Sequence, residues 1–217
     1  MTTSQLITLN DPRSAAAEAY RSLRTSLMFA SVERPLATFL VTSVGKGEDK
    51  SAVVANLAVT FAQAGNSTII VDADLRRPSQ HEIWGISGER GLTTMALEDA
   101  ALANPPLVQT SIPNLAVLPA GTLPAIPADV LGSPRMEEVI GVLKARAHYI
   151  IFDAPPVLVA TDATVLGKKV DGVVLAIRAG ATRREQANRA RQALEQVNVR
   201  ILGAVLTNAQ ETLKTSY

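Results

Sequence analysis

Short runs of apolar residues alternate along this chain with stretches of helical periodicity. The candidate strands are 36–42, 68–72, 115–118, 149–153, 172–177 and 201–206. The candidate helices are 14–30, 50–64, 127–145, 161–168 and 182–196. Alternation of this kind predicts a parallel sheet with helices on both faces. Ligands of such sheets bind beyond the carboxyl ends of the strands, so a site is expected in the loops that follow them.

The length and composition fit one α/β domain. The chain has 217 residues, of which 47% are hydrophobic and only 4% aromatic, an aliphatic composition that suits buried parallel strands. The net charge of +1 gives no reason to expect a nucleic-acid partner. Cysteine is absent, which excludes disulfides and thiolate chemistry and fits a cytoplasmic protein. We expect neither a membrane-spanning helix nor a signal peptide, and we interpret 78–128 as a surface excursion and loop.

The segment Thr42–Ser51 joins a candidate strand to a candidate helix and reads TSVGKGEDKS. This is the context of a phosphate-binding loop, in which backbone N–H groups and a helix N-terminus surround a polyphosphate. Lys50 is then expected to reach the β- and γ-phosphates, and the Ser51 hydroxyl to bind Mg²⁺. The pattern G-x-x-x-x-G-K-[ST] fails at Asp49 and at Val44.

Two other candidate strands end abruptly in aspartate. Asp72 ends the first and is followed by Asp74, and Asp153 ends the second. If both strands flank the strand that feeds the loop, three carboxylates converge on the phosphate site. Carboxylates are ligands that Mg²⁺ prefers, and one of them can accept a proton from an attacking hydroxyl. A lone aspartate after a strand is usually a cap or turn residue, but two such ends beside this loop favour a nucleotide site.

Together these motifs resemble the bacterial tyrosine kinase (BY-kinase) family of capsular and exopolysaccharide biosynthesis, over nearly the whole chain. The family's first motif is similar to Thr42–Ser51, its second, D-x-D-x-R, to Asp72–Arg76, and its third, D-x-x-P, to Asp153–Pro156. The resemblance implies a P-loop NTPase-like three-layer α/β/α domain with a mainly parallel sheet. The related Min/Par positioning ATPases carry a lysine where this chain has Gly45, which argues against that alternative.

The resemblance also implies a function and a set of site residues. The expected activity is that of an ATP-dependent protein-tyrosine autokinase, with ATP or ADP and Mg²⁺ as cofactors. The residues expected to bind the nucleotide are Gly45, Lys46, Gly47, Glu48, Asp49, Lys50, Ser51 and Ala52. The expected catalytic residues are Lys50, Asp72 and Asp74, with Asp72 activating the tyrosine hydroxyl. The expected magnesium ligands, direct or through water, are Ser51, Asp72 and Asp153.

The family's first helix carries an E-x-x-R-x-x-R motif that mediates ring-like self-association. Here the matching residues are Glu18, Arg21 and Arg24, whose spacing of three predicts one helical face. The alternative is a solvated face with pairing inside the helix. The resemblance thus implies a homo-oligomer, with 1–33 as its oligomerisation region. It also implies a membrane-bound polysaccharide chain-length regulator as partner, at the inner face of the cell membrane.

Departures from the family pattern, in the loop and in the C-terminal tail, bear on activity. Asp49 replaces a glycine, so we expect weaker ATP binding, either because the backbone loses freedom or because a carboxylate repels the phosphates. Lys46 and Ala52 stand where the family commonly has proline and threonine. The family's C-terminal tyrosine cluster is reduced to Tyr217 in the tail 208–217, a candidate phosphoacceptor. A pseudokinase that keeps the assembly surfaces without productive use of ATP is therefore an alternative.

Overall fold

The computed structural model describes residues 2–30, 32 and 34–209. Within them, seven strands form one sheet in the order β3-β4-β2-β5-β1-β6-β7. These strands are β1 (Thr38–Ser43), β2 (Thr68–Asp72), β3 (Val108–Gln109), β4 (Leu115–Leu118), β5 (Tyr149–Asp153), β6 (Gly172–Arg178) and β7 (Ile201–Thr207). Every neighbouring pair is parallel except β3 with β4. The prediction of a mainly parallel sheet is confirmed.

Helices cover both faces of this sheet. They are α1 (Ile7–Asn10), α2 (Ala15–Ala30), α3 (Lys50–Gln63), α4 (Gln80–Trp84), α5 (Leu92–Leu97), α6 (Asp99–Ala103), α7 (Pro127–Gly132), α8 (Pro134–Lys144), α9 (Asp162–Gly167) and α10 (Arg184–Glu195). Successive strand residues point to opposite faces, so β1 contributes to two cores. Phe39 and Val41 pack with α3 on one side, and Leu40 packs in the core that includes Leu143 and Leu166 on the other. The result is the three-layer arrangement expected from the sequence.

Two of the predicted elements were wrong. The single helix predicted over 127–145 is two helices, because Ser133 has an extended backbone (φ −62°, ψ 155°) immediately before Pro134. A proline disfavours helical geometry in the residue that precedes it and itself starts helices well. The stretch 78–128 is not only loop, since it contains α4, α5, α6 and β3, and Leu92 and Met95 within it are fully buried.

The order of the strands corrects one further expectation. Of the two strands that end in aspartate, only β5, which ends in Asp153, lies beside β1. The other, β2, which ends in Asp72, lies one strand further away. The register nevertheless pairs Asp72 with Asp153 and Asp153 with Val41, so the carboxyl ends of β1, β5 and β2 lie side by side. The three carboxylates are therefore carried to one edge of the sheet, although not by the two flanking strands.

Two further expectations concern membrane-spanning helices and the C-terminal tail. No helix among the described residues is long and apolar enough to cross a membrane. Tyr217, the candidate phosphoacceptor, lies outside the described residues.

Candidate active site

The loop between β1 and α3 lines a cavity of about 1030 Å³ at the carboxyl edge of the sheet. Gly47 and Asp49 have left-handed backbones (φ 75° and 58°), which curl the loop around the start of α3. Across the part of the chain that the structure describes, the backbone N–H groups of residues 46–52 have no hydrogen-bond acceptor. A helix N-terminus preceded by free N–H groups is a ready anion site. The loop therefore has the form of the predicted phosphate cradle.

The cavity extends beyond the loop along other elements. Its wall includes Tyr20 on α2 and, past the end of β7, Asn208. Burial, together with the nearby Asp49 carboxylate, raises the pKa of Tyr20 to about 12, so its hydroxyl stays protonated at physiological pH. Gly45 is half-buried, while Lys46 and Ala52 line the cavity. All of the residues predicted to bind nucleotide thus belong to this loop or to the first turn of α3.

Asp49 occupies the last position before α3 with its side chain about half exposed. Its Oδ2 accepts a hydrogen bond from Nη1 of Arg178 at 3.1 Å, and the same nitrogen donates to the Gly47 carbonyl at 2.7 Å. Arg178 is the last residue of β6. A residue 129 positions further along the chain therefore binds the loop at both Gly47 and Asp49.

Glu48, predicted to bind nucleotide, has a side chain that is committed to the loop itself. It is buried, and its Oε2 accepts from the Val44 N–H at 2.7 Å while its Oε1 accepts from the Thr182 hydroxyl. The Thr182 hydroxyl in turn accepts from the Arg178 N–H at 3.2 Å. The Glu48 carboxylate therefore ties the loop to the segment after β6, which leaves its backbone N–H as the group available to a phosphate.

Lys50 lies between two of the predicted acids. Its Nζ is 2.8 Å from Asp74 Oδ2, 2.8 Å from Asp153 Oδ1 and 3.4 Å from Ser51 Oγ. Burial lowers the pKa of Lys50, but attraction to Asp153 and Asp74 outweighs burial and raises the pKa above its ordinary value. The ammonium group is thus charged and held at the bottom of the cradle by two carboxylates.

Asp72 is fully buried and differs from the other two acids because one of its oxygens is free. Its Oδ2 accepts from the N–H groups of Ser79 and Gln80, at 2.9 and 2.8 Å, while its Oδ1 has no partner among the described residues. Burial first, and then repulsion from Asp153, raises the pKa of Asp72 to about 7. A carboxylate with a vacant oxygen and a pKa near neutrality is suited to accept a proton.

Gln80 is a site residue that the sequence analysis missed. Its amide Nε2 donates to Asp153 Oδ2 at 2.8 Å and to the Ser51 carbonyl at 3.1 Å, and its Oε1 accepts from Trp84 Nε1 at 3.1 Å. With its backbone N–H on Asp72, this single buried residue orients both strand-end acids. Its only sequence signal is its place a few residues after the second acidic motif, which does not distinguish it from its neighbours.

The donor set fits a magnesium ion bound jointly with phosphates. No three His, Asp or Glu side chains within the described ranges form a metal cluster by themselves. Mg²⁺ in nucleotide sites usually takes one or two protein oxygens and completes its shell with phosphates and water. The Ser51 hydroxyl and Asp153 provide such oxygens, directly or through water, so the residues present fit this ion. The free Oδ1 of Asp72, which was also predicted to bind the ion, is then left to accept a proton.

The predicted oligomer face on α2 is only partly a surface. Arg21 Nε contacts Glu18 Oε2 at 2.7 Å; the Glu18 side chain is largely open to solvent, whereas that of Arg21 is about two-thirds buried. Arg24 instead turns inward, where its Nη1 donates to the Thr60 carbonyl of α3 at 2.8 Å. In a single protomer, therefore, Glu18 and Arg21 form the intrahelical pair of the alternative interpretation, while Arg24 fastens α2 to α3.

Comparison with known proteins bears out the family resemblance. The ParA family (NUBPL iron-transfer P-loop NTPase) matches residues 36–214. The tyrosine-protein kinase YwqD of Bacillus subtilis (strain 168) is 38% identical over 213 residues, which cover 98% of this chain and 89% of YwqD. Among solved structures, the chimerical protein CapA2B2 has a TM-score of 0.89 at 30% identity, covering 96% of this chain and 91% of that chain.

A second solved structure supports the same assignment. The kinase domain of the Escherichia coli tyrosine kinase ETK has a TM-score of 0.85 at 29% identity, covering 98% of this chain and 84% of that chain. Both structures match nearly the whole length, including the α2 region that precedes the sheet. The chain therefore belongs to the bacterial protein-tyrosine kinase family, built on a ParA-like P-loop NTPase domain.

Proposed function

We propose that this protein is an ATP-dependent tyrosine autokinase that regulates capsular or exopolysaccharide assembly. The observation that carries the proposal is the vacant Oδ1 of Asp72, on a carboxyl group whose pKa is about 7, beside a loop of free N–H groups. Phosphoryl transfer depends mainly on positioning and charge neutralisation. The cradle and the Lys50 cation line the cavity, and the buried Asp72 carboxylate lies behind them as the proton acceptor, so the three together meet those needs.

Each site residue has a role in this proposal. The N–H groups of residues 45–51 and the Lys50 ammonium bind the phosphates of ATP, and Ser51 and Asp153 hold Mg²⁺, directly or through water. The ion, when bound, neutralises the charge on the transferring phosphate. Asp72 accepts the proton of the incoming tyrosine hydroxyl. Asp74 accepts hydrogen bonds from the backbone N–H groups of Arg76 and Arg77 at Oδ1, and its Oδ2 forms an ion pair that keeps Lys50 in place.

Membership of the family supports a proposal for the partner and the location. The protein is proposed to act at the inner face of the cell membrane, bound to a membrane-bound polysaccharide chain-length regulator. The similarity to a chimerical CapA2B2 protein supports a partner-bound state for this domain. A ring-like homo-oligomer, with Glu18, Arg21 and Arg24 at its interface, completes the proposed assembly.

Incubation with Mg²⁺ and ATP is expected to add phosphate to tyrosine, because the loop, Lys50 and Asp72 are proposed to bind the phosphates and to accept the tyrosine proton. Intact mass and phosphotyrosine mapping measure the gain, and they show whether Tyr217 or another tyrosine carries it. The Lys50→Met variant is the negative control. A protein that hydrolyses ATP without forming phosphotyrosine would contradict the kinase and favour a Min/Par-like ATPase.

A pseudokinase is the second candidate, and Asp49 is the observation that favours it. A carboxylate beside the cradle opposes phosphate binding. If incubation with Mg²⁺ and ATP gives no phosphotyrosine and ATP binding is not measurable, the pseudokinase is the function selected, and assembly is the remaining role of the domain.

Self-association is expected to weaken when Glu18 and Arg21, the paired motif residues of α2, are replaced together. The double variant Glu18→Ala/Arg21→Ala leaves the inward contact of Arg24 intact, so α2 stays packed on α3. Light scattering should then show smaller assemblies than those of the native protein, while Arg189→Ala, an exposed change on α10, should not alter the mass. An unchanged mass in the double variant would place the interface elsewhere.

A further inference from the structure

Asp49 presents the site with an electrostatic problem. It precedes the first turn of α3, where a polyphosphate is expected to lie, and it lines the same cavity. A negative charge at this point repels the phosphates that the loop would bind. Its backbone adds no further obstacle, since aspartate tolerates the left-handed conformation that it adopts here (φ 58°) better than most residues.

Arg178 contacts the Asp49 carboxylate from outside the cavity. Its Nη1 contacts Asp49 Oδ2 at 3.1 Å and the Gly47 carbonyl at 2.7 Å, yet Arg178 is not among the described residues that line the cavity. The Asp49 carboxylate is therefore drawn towards a cation on the far side of the loop. Because the guanidinium binds a carbonyl and a carboxylate together, it also fixes the curvature of the loop between Gly47 and Asp49.

We propose that Arg178 is a positioning residue that neutralises Asp49 and holds its carboxylate away from the phosphate cradle, so that the loop accepts a nucleoside polyphosphate despite an acid at this position. The inference rests on the nucleotide binding of the proposed function and goes beyond it by assigning a residue outside all three sequence motifs. It also identifies Arg178 as the group that limits the loss of affinity caused by Asp49.

The exposure of the pair indicates that its role concerns the ligand more than folding. The Arg178 side chain is 37% exposed and that of Asp49 52% exposed, and ion pairs of this kind contribute little to stability. A bound polyphosphate makes the Arg178–Asp49 ion pair more important, because it brings several negative charges close to Asp49 and excludes water from the loop. Loss of Arg178 should therefore affect ADP affinity much more than thermal stability.

Lys46 does not replace Arg178 in this role. It lies in the same loop and lines the cavity, but its exposed side chain forms no ion pair among the residues that the structure describes. Lys46 is thus free to meet a phosphate directly, whereas Arg178 is engaged with the loop. The two cations are distinguishable by experiment because only the effect of Arg178 should depend on Asp49.

A double-mutant cycle tests the inference. ADP affinity in the presence of Mg²⁺ is measured by calorimetry for the native chain, Arg178→Gln, Asp49→Gly and the double variant. We expect Arg178→Gln to weaken ADP about tenfold in the native chain and less than about twofold in the Asp49→Gly background. Asp49→Gly alone should bind ADP somewhat more tightly. Arg184→Gln, a neighbouring exposed change, controls for the general loss of a positive charge.

Each outcome decides the matter. An equal loss of affinity in both backgrounds would overturn the inference, since Arg178 would then act on the Gly47 carbonyl or on the nucleotide independently of Asp49. If Asp49→Gly binds ADP and the native chain does not, Arg178 fails to neutralise Asp49 while the cradle itself stands. If no variant binds ADP, the nucleotide site of the proposed function falls together with the inference. Thermal unfolding without nucleotide confirms that each variant is folded.

Discussion

Replacing Asp72 with asparagine is expected to abolish tyrosine phosphorylation while leaving ADP affinity within a few-fold of the native value. The amide keeps an acceptor oxygen for the Ser79 and Gln80 N–H groups, so the loop after β2 should keep its place. What the amide lacks is a basic oxygen in the position of Oδ1. Loss of a general base typically costs 10²–10⁴-fold in rate, and mass spectrometry of the reaction measures the loss directly.

The pH dependence gives this prediction a second readout. Only the deprotonated carboxylate can accept the tyrosine proton, so a pKa of about 7 predicts a rate that rises from about pH 6 to about pH 8. A substitution that merely disturbs packing would lower the rate at every pH without moving this profile. Asp129→Asn, an exposed change on α7, should alter neither rate nor profile. Phosphorylation retained in Asp72→Asn would refute the assignment of Asp72.

The Lys50→Met variant is expected to lose stability as well as nucleotide binding. Lys50 is the cation shared by Asp74 and Asp153, whose side chains are 6% and 0% exposed. Removing one partner of a buried ion pair usually costs about 3–5 kcal/mol, because the remaining charge is left uncompensated. Urea denaturation at about pH 7.5 should show a fall in the free energy of unfolding of that order. Lys168→Met, an exposed change, should stay within about 0.5 kcal/mol of the native value.

The stability of Lys50→Met also shows whether other groups stabilise Asp74 and Asp153. A variant as stable as the native chain at pH 8 would mean that the two acids are stabilised by other groups. The outcome also matters for enzymology, since a destabilised Lys50→Met needs a folding check before it serves as an inactive control.

The sequence predicted the elements that repeat a simple pattern. Apolar runs such as 68–72 and 149–153 have the length and β-branched content of buried strands, and both were found within the sheet. The acids that end them were correctly expected near the loop, because parallel strands bring their carboxyl ends to one edge. Strand order was less accessible: nothing in residues 68–72 indicates that β5 separates β2 from β1, since the order depends on how the crossover helices pack.

The parts that were missed depend on contacts between distant residues. Gln80 and Arg178 are ordinary polar residues in the sequence, and their roles arise only when α4 and β6 bring them to Asp153 and Asp49. The helices α5 and α6 are too short to show a periodic signal, and 78–128 was therefore interpreted as loop. At Ser133, by contrast, the proline that follows was available as a signal for the break between α7 and α8.

Trp84 gives the protein a built-in optical probe. It is the one tryptophan in the sequence, it is largely buried, and its indole N–H is joined through the Gln80 amide to the carboxylate of Asp153. Indole emission responds to the polarity and hydrogen bonding around the ring. A movement of Asp153 on nucleotide binding is transmitted through Gln80 to the Trp84 indole. Tryptophan fluorescence can therefore follow occupancy of the cradle in unlabelled protein, in real time.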